Sequence, residues 1–328
     1  MELKRPAFRP ALPLFHRFVL AAGLVALGVA AWKLDARDVL EIVSRVGPGI
    51  LLLVPMGLVP PLLNAAAWRL AFAPEDARTY RFSRLLSLYL AMEGVNYLVP
   101  TGTVAGEVAR ATLLGGTPPF EVRAASVVTS RIAQTVAQVA IILAGVALLV
   151  GPLPPMERHR WIPAAAEALL ALLALAALVY LVSAPRLLRG PSGPGALPEP
   201  LDGWLKRTPA RLRLYFGRYR ARFCLAVLLM AAAYAWNSLE AWWICRLIGL
   251  PVGLRTALTI EVLSIAIDGL FFIVPAKIGT QELGKVAVFS LLGLPARFGF
   301  AFGILRHLRE FFWAIVGFLI YGALRREA

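Results

Sequence analysis

Charge is what this sequence has least of: only 16% of its 328 residues are Asp, Glu, Lys or Arg, against about 25% in ordinary soluble domains. Hydrophobic side chains make up 59% and the mean hydropathy is +0.72, which excludes a soluble globular fold. Histidine is scarce and scattered, at His16, His159 and His307. No HExxH, GxSxG or Gly-rich strand-to-helix turn occurs, so no catalytic residue, metal or cofactor is expected. Cys224 and Cys245 fall 21 residues apart in one predicted helix, about 30 Å by helical rise and beyond disulfide reach. Both read as packing residues.

Long apolar runs are what is present. Those near 18–34, 50–68, 124–150, 162–183, 224–245 and 299–321 each approach or exceed the roughly 20 residues a spanning helix needs. Runs of this length leave no room for the alternating strands of a barrel. The expected fold class is therefore all-α and polytopic, with about six full spans. Lys4, Arg5, Arg9 and Arg17 precede the first run in the manner of a signal peptide, but no small-x-small cleavage site follows. Trp32 suits an interface anchor, so an uncleaved first span is expected. The net charge of +15 invites a nucleic-acid reading, yet the basic residues sit in short loops between apolar segments, and no nucleic-acid partner is expected.

The chain repeats itself. A shift of 175 positions aligns Glu93 with Asp268, Pro100 with Pro275, Glu107 with Glu282, Arg110 with Lys285 and Arg131 with Arg306. Six charged side chains lie between residues 85 and 140, and four of them find a same-sign partner at this shift, which is hard to reach by chance where charge is so rare. The expected organisation is an N-terminal span and connection (1–49), a first repeat (50–150), a linking span with a basic loop (151–223) and a second repeat (224–328). Each repeat comprises a span, a Pro-broken hairpin and a second span. Pro100, Gly102 and Gly106, and then Pro275 and Gly279, mark the breaks. Residues 85–99 are too short to cross comfortably and carry Glu93, which suits a re-entrant element.

Lys and Arg distribution supports this. The N-terminus and the 69–84 loop carry four each and the 184–222 loop nine, while 33–48, 151–161 and 246–255 carry three, two and two. The first three loops should be cytoplasmic, along with both termini. That assignment holds only if 85–115 returns to the side it entered from. The two repeats then have opposite orientation, an inverted repeat of the kind found in secondary transporters. In the basic loop, Pro191–Pro200 is a flexible linker, and beyond it Trp204, Leu212 and Phe216 interleave with Lys206, Arg211 and Arg213, as in a helix lying on an anionic leaflet.

Ionisable groups at membrane depth cost from about 3 kcal/mol upward unless paired or wet. The candidate substrate-binding set is Glu93, Asn96, Glu107, Arg110, Arg131, Asp268, Glu282, Lys285 and Arg306. Half-helices starting after Pro100 and Pro275 would aim their N-termini inward, where an anionic headgroup could be held, with Arg gripping phosphate oxygens bidentately. The alternative is that Glu107–Arg110 and Glu282–Lys285, each three residues apart, simply neutralise themselves. Arg131 shares a face with Gln134 and Gln138, which suits a cavity wall. Arg306 has Glu310 at i+4 as a competing partner, and Asn96 could bind substrate or satisfy backbone freed by Pro100. Glu240 and Glu261 have no counterpart at the repeat shift and stay outside the expected core.

The pattern Asn96-x3-Pro100-x5-Gly106-Glu107-x2-Arg110, with Arg131 downstream, and Pro275-x3-Gly279-x2-Glu282 through Arg306, resembles the flippase-like transmembrane region of lysylphosphatidylglycerol synthases over nearly the whole chain. Gly279-Thr-Gln-Glu282 and Arg306-His-Leu-Arg-Glu310 resemble most the stand-alone branch associated with hopanoid biosynthesis. The resemblance implies movement of a lipid across a bacterial inner membrane; no lysyl-transferase domain follows in this chain, so lysyl transfer is not expected. A membrane lipid translocase handling an anionic or zwitterionic headgroup is the leading expectation. An integral-membrane lipid-modifying enzyme and a non-transporting scaffold for lipid synthesis are the alternatives. Membrane lipids are the expected partners, with lipid-biosynthesis enzymes and a homo-oligomer left open. The topology has a direct test: a cysteine at Ser192 in a cysteine-free background is expected to react in intact cells with membrane-permeant reagents alone, and labelling by an impermeant one would overturn it.

Overall fold

The computed structural model describes residues 28–29, 32, 36–98, 102–150, 211–270 and 277–327. Among these the regular structure is helical, with no strand. Helix α1 (Ala36–Arg45) is amphipathic: Val39, Ile42 and Val46 turn inward while Glu41 and Arg45 pair on the outer face at 2.5 Å. A 3-10 turn at Gly47–Gly49 leads into α2 (Ile50–Met56) and α3 (Val59–Leu70), which follow one another as a single 24-residue apolar run. After the short α4 (Pro74–Thr79) come α5 (Phe82–Leu98), α6 (Gly102–Leu114) and α7 (Phe120–Val150). The remainder is α8 (Arg220–Leu247), α9 (Leu254–Leu270), α10 (Thr280–Leu291) and α11 (Ala296–Glu327).

Four helical runs are long and apolar enough to cross a membrane: Gly47–Leu70, Phe120–Gly145, Arg220–Leu247 and Ala296–Arg326. They coincide with four of the six runs expected from sequence. The expected spans at 162–183 and, but for three residues, at 18–34 lie outside the described residues. So do the Pro100 and Pro275 breaks and the Pro191–Pro200 linker. Cys224 and Cys245 are both free, the first exposed and the second buried.

The helix boundaries repeat. Where both limits fall among described residues, the ends of Gly47–Leu70, the starts of α5 and α7 and the end of α6 recur in α8, α9, α11 and α10 within three residues of the 175-residue shift. Buried apolar positions recur with them. Leu85, Leu114 and Val127 sit in one hydrophobic cluster, and their counterparts Ile260, Phe289 and Phe302 in another. Packing follows the same rule: α5 lies on α6 as α9 lies on α10, and α6 on α7 as α10 on α11. Across the units, α3 packs on α8, α5 on α11 and α9 on α7.

Proline shapes the entry to the first unit. Pro60 has no N–H to offer the carbonyl of Met56, four residues earlier. That oxygen accepts instead from the Trp236 indole at 2.9 Å, and Trp313 donates to the Val54 carbonyl at 2.9 Å. Leu58 N–H meanwhile turns to Pro55. Two indoles from the long helices α8 and α11 thus take up backbone acceptors that lipid could not satisfy. At the other end of α3, Arg222 and Tyr215 close the last turn by donating to Leu70, Phe72 and Arg69 carbonyls at 2.7–3.2 Å. Tyr215 belongs to a helical segment at 211–218, within the stretch the sequence assigned to a surface helix.

At the α5–α11 crossing, backbone meets backbone. A Cβ at Gly94 would stand 2.6 Å from the Ala314 carbonyl oxygen, and one at Gly317 would run into the Leu90 carbonyl. Small residues allow this close approach, which is how helices associate where lipid removes the hydrophobic drive. Gly317→Ala is expected to cost about 1–3 kcal/mol, as overpacking does, read as a lower melting temperature in detergent. Gly322→Ala, on the same helix with open space around it, should leave that temperature unchanged or slightly raised.

Candidate functional site

Repeat-equivalent charges make equivalent pairs. Arg110 on α6 faces Glu93 on α5 at 3.7 Å, and Lys285 on α10 faces Asp268 on α9 at 3.4 Å. In each case a cation from the second short helix reaches back to a carboxylate on the first, and both cations are buried, at 1% and 0% exposure. Burial alone would expel such charges, so the acid is what holds each in place. Arg110 also lies over the rings of Tyr89 and Trp68, 4.8 and 5.2 Å from their centroids, which adds cation–π attraction. It contacts Glu107 as well, at 3.4 Å.

Beyond these pairs the two units diverge. Arg131 on α7 reaches the Glu107 carboxylate through Nε at 2.6 Å and through a second guanidinium nitrogen, and donates to Gln134 at 2.6 Å. Its counterpart Arg306 instead grips Glu261 on α9 bidentately, at 2.5 and 2.9 Å. Glu282, freed of that role, accepts the Gly279 N–H at 3.0 Å and so caps α10, while its other oxygen lies 2.5 Å from His307 Nδ1. Gly279, at φ +77, takes a backbone shape that any side chain would strain. Arg309 pairs with the fully buried Glu240 at 2.8 Å. Glu310 draws Lys277, Arg309 and Arg306 to 3.3, 3.4 and 3.6 Å. Lys277 is also 3.6 Å from Asp268. Its positive φ of 53 costs of order 1–3 kcal/mol for a non-glycine residue.

These helices line an open cavity of about 530 Å³, within the range of small-molecule sites. From α3 come Pro60, Pro61 and Asn64, and from α5 Tyr89, Glu93, Asn96 and Tyr97. Gln134 and Gln138 of α7 face Tyr234 and Asn237 of α8. Glu261 and Asp268 of α9, with Lys277, Arg306, Arg309, Glu310 and Trp313, complete the wall. Both units therefore contribute. Glu93 is the most open of the charged groups, with 47% of its side chain accessible.

Of the nine residues expected to bind substrate, Glu93, Asn96, Asp268 and Arg306 line this cavity. Arg110, Lys285, Glu107, Arg131 and Glu282 stand behind or beside it in ion pairs. Of the two self-neutralising pairs held as the alternative, Glu107–Arg110 is present at 3.4 Å, whereas Lys285 turns to Asp268 and Glu282 to His307. Gly102 and Gly106 lie within α6. Glu240 and Glu261, set aside for want of repeat counterparts, are the main partners of Arg309 and Arg306. A carboxylate inside a long apolar helix demands a countercharge whatever the repeat says, and that signal would have found them. Among the described residues, no group of His, Cys, Asp and Glu has metal-holding geometry.

The helices and this ion-paired cavity define a polytopic helical membrane protein with a polar interior chamber. A family model for the lysylphosphatidylglycerol synthase TM region matches residues 15–317, and the chain belongs to that family. No curated protein and no solved structure matches it. The Glu261–Arg306 pair offers a measurement of how the chamber is held. Glu261→Gln removes the bidentate partner of a buried guanidinium, leaving it Glu310 at 3.6 Å, and is expected to destabilise by up to about 3–5 kcal/mol. The double variant with Arg306→Gln should recover much of that loss in detergent melting.

Proposed function

We propose that this protein is a membrane lipid translocase that passes a lipid headgroup through the chamber between its two units. The observation that carries the reading is the chamber itself: a space of about 530 Å³ with seven charged side chains in its wall, set among helices long enough to span a bilayer. Ionic groups are expensive there, and a merely structural core of the same volume would be cheaper if built from apolar side chains. Family membership supports a lipid-related role.

The same proposal includes the topology expected from sequence. Six crossings are joined with two re-entrant elements, α5–α6 and α9–α10, and the units have opposite orientation in a bacterial inner membrane with both termini cytoplasmic. Pro100 and Pro275 interrupt the apolar stretches that contain α5 and α9, which suits elements that turn back rather than cross fully. The repeat in helix boundaries and in packing is what rocking of one unit against the other would use, exposing the chamber to alternate leaflets. The hopanoid-associated branch belongs to this proposal on its sequence resemblance alone.

The chamber's lining carries three cations, Lys277, Arg306 and Arg309, and four carboxylates, Glu93, Glu261, Asp268 and Glu310. Near-balance suits a headgroup with little or no net charge. In proteoliposomes with fluorescent lipids and a leaflet-restricted quencher, the protein is expected to accelerate exchange between leaflets. Lys277→Met, which takes from Asp268 and Glu310 the cation they share and leaves the chamber wall net acidic, should slow it at least roughly tenfold, about what losing one charge-assisted hydrogen bond costs. Exchange no faster than in protein-free vesicles would refute translocation, and a chemically altered lipid in the mass spectrum would point to an enzyme.

A further inference from the structure

The geometry points to a polyhydroxylated, uncharged headgroup, such as a sugar or another polyol, as the group the chamber recognises. The assignment deepens the translocase reading and rests on it for the ligand being a lipid. The chamber's cations are already engaged: Arg306 by both oxygens of Glu261, Arg309 by Glu240, and Lys277 by Asp268 and Glu310. A phosphate gripped by two nitrogens of one of these groups would have to break its pair; among the described residues, the Nε of Arg309 is a buried cationic donor without a partner. The other hydrogen-bonding groups on the wall are neutral: the amides of Asn64, Asn96 and Asn237 and the phenols of Tyr89 and Tyr97.

Two of these are unsatisfied. Among the described residues, the Asn96 side-chain oxygen and the Tyr97 hydroxyl are buried without a hydrogen-bond partner, a costly state unless a ligand supplies one. The Asn96 oxygen needs a donor, and a phosphate diester has none. Nearby Glu93 is a second acceptor on the same face of α5, one helical turn away. On the α7 wall the polarity reverses: the carboxamide oxygens of Gln134 and Gln138 accept from Arg131 and Tyr234, and with the Gln134 NH2 set against the Tyr234 phenol the Gln138 NH2 is the donor there. An ammonium can only donate and a phosphate diester can only accept. A hydroxyl does both, and several on one ring or chain would span acceptors on α5 and a donor on α7. Trp313 and the tyrosines add the aromatic surface against which sugar C–H faces pack.

The test uses the full chain in phosphatidylcholine nanodiscs and four probes of one chain length: hexyl β-glucoside, hexyl phosphate, hexylphosphocholine and hexylammonium. Hexyl glucoside is expected to raise the melting temperature in a saturable manner and the other three not. Tyr97→Phe and Asn96→Leu should each weaken that response at least roughly tenfold, the value of one hydrogen bond. Should Asn96→Leu fail to fold, Tyr97→Phe, which deletes a single oxygen, carries the comparison. A larger shift with hexyl phosphate or hexylammonium, or an undiminished glucoside response in Tyr97→Phe, would overturn the assignment. The two readings fail separately. Phospholipid exchange without any glucoside response leaves translocation standing and removes the polyol. A glucoside response without exchange of any lipid does the reverse.

Discussion

Neutralising charge inside an apolar body is the constraint on which this structure depends. A lone guanidinium or carboxylate among these helices would cost several kcal/mol, more than a single packing contact returns. Every charged side chain that faces the chamber is accordingly tied to one on another element: α5 to α6, α6 to α7, α9 to α10, and α9 to α11. The ion pairs do what loops and disulfides do in soluble proteins, fixing which helix lies beside which. They also set the polarity of the interior, because a charge spent on a neighbour is no longer available to a ligand.

The internal repeat explains where these pairs come from and where they change. Arg110–Glu93 and Lys285–Asp268 keep the ancestral-looking spacing and the same two-helix geometry. Arg131 and Arg306 keep their positions but not their partners, because the second unit supplies Glu261 where the first has Leu86. One extra acid releases Glu282 to cap α10 and to meet His307. The chamber is therefore asymmetric: the first unit lends it amides and phenols, the second a dense web of paired charge.

Much of this was legible in the sequence because periodicity and scarcity are strong signals in apolar chains. Long runs gave four of the helices now seen to be long enough to cross, and the 175-residue shift aligned the acids and cations that form two equivalent buried pairs without showing that Arg110 would take Glu93 or Lys285 would take Asp268. Partner choice was not legible. Nothing in the spacing says that Arg306 prefers Glu261, forty-five residues away, over Glu310 at i+4, since that depends on how α9 and α11 cross. Nor could spacing show that the arginines expected to hold an anion are each paired with the protein's own carboxylates. The indoles that relieve Pro60 and its neighbours were equally hidden, because Trp236 and Trp313 lie about 180 and 260 residues from the carbonyls they serve and only tertiary packing unites them.

The glycine contact between α5 and α11 has a bearing on the chamber that its location makes plain. Gly94, pressed against the α11 backbone at Ala314, is the immediate neighbour of Glu93, the most accessible charged group in the cavity. A helix pinned at that residue cannot slide or turn without unseating the pin. The carboxylate beside it is thus held at a set height and bearing before anything arrives, and a ligand need not spend its own affinity on arranging it.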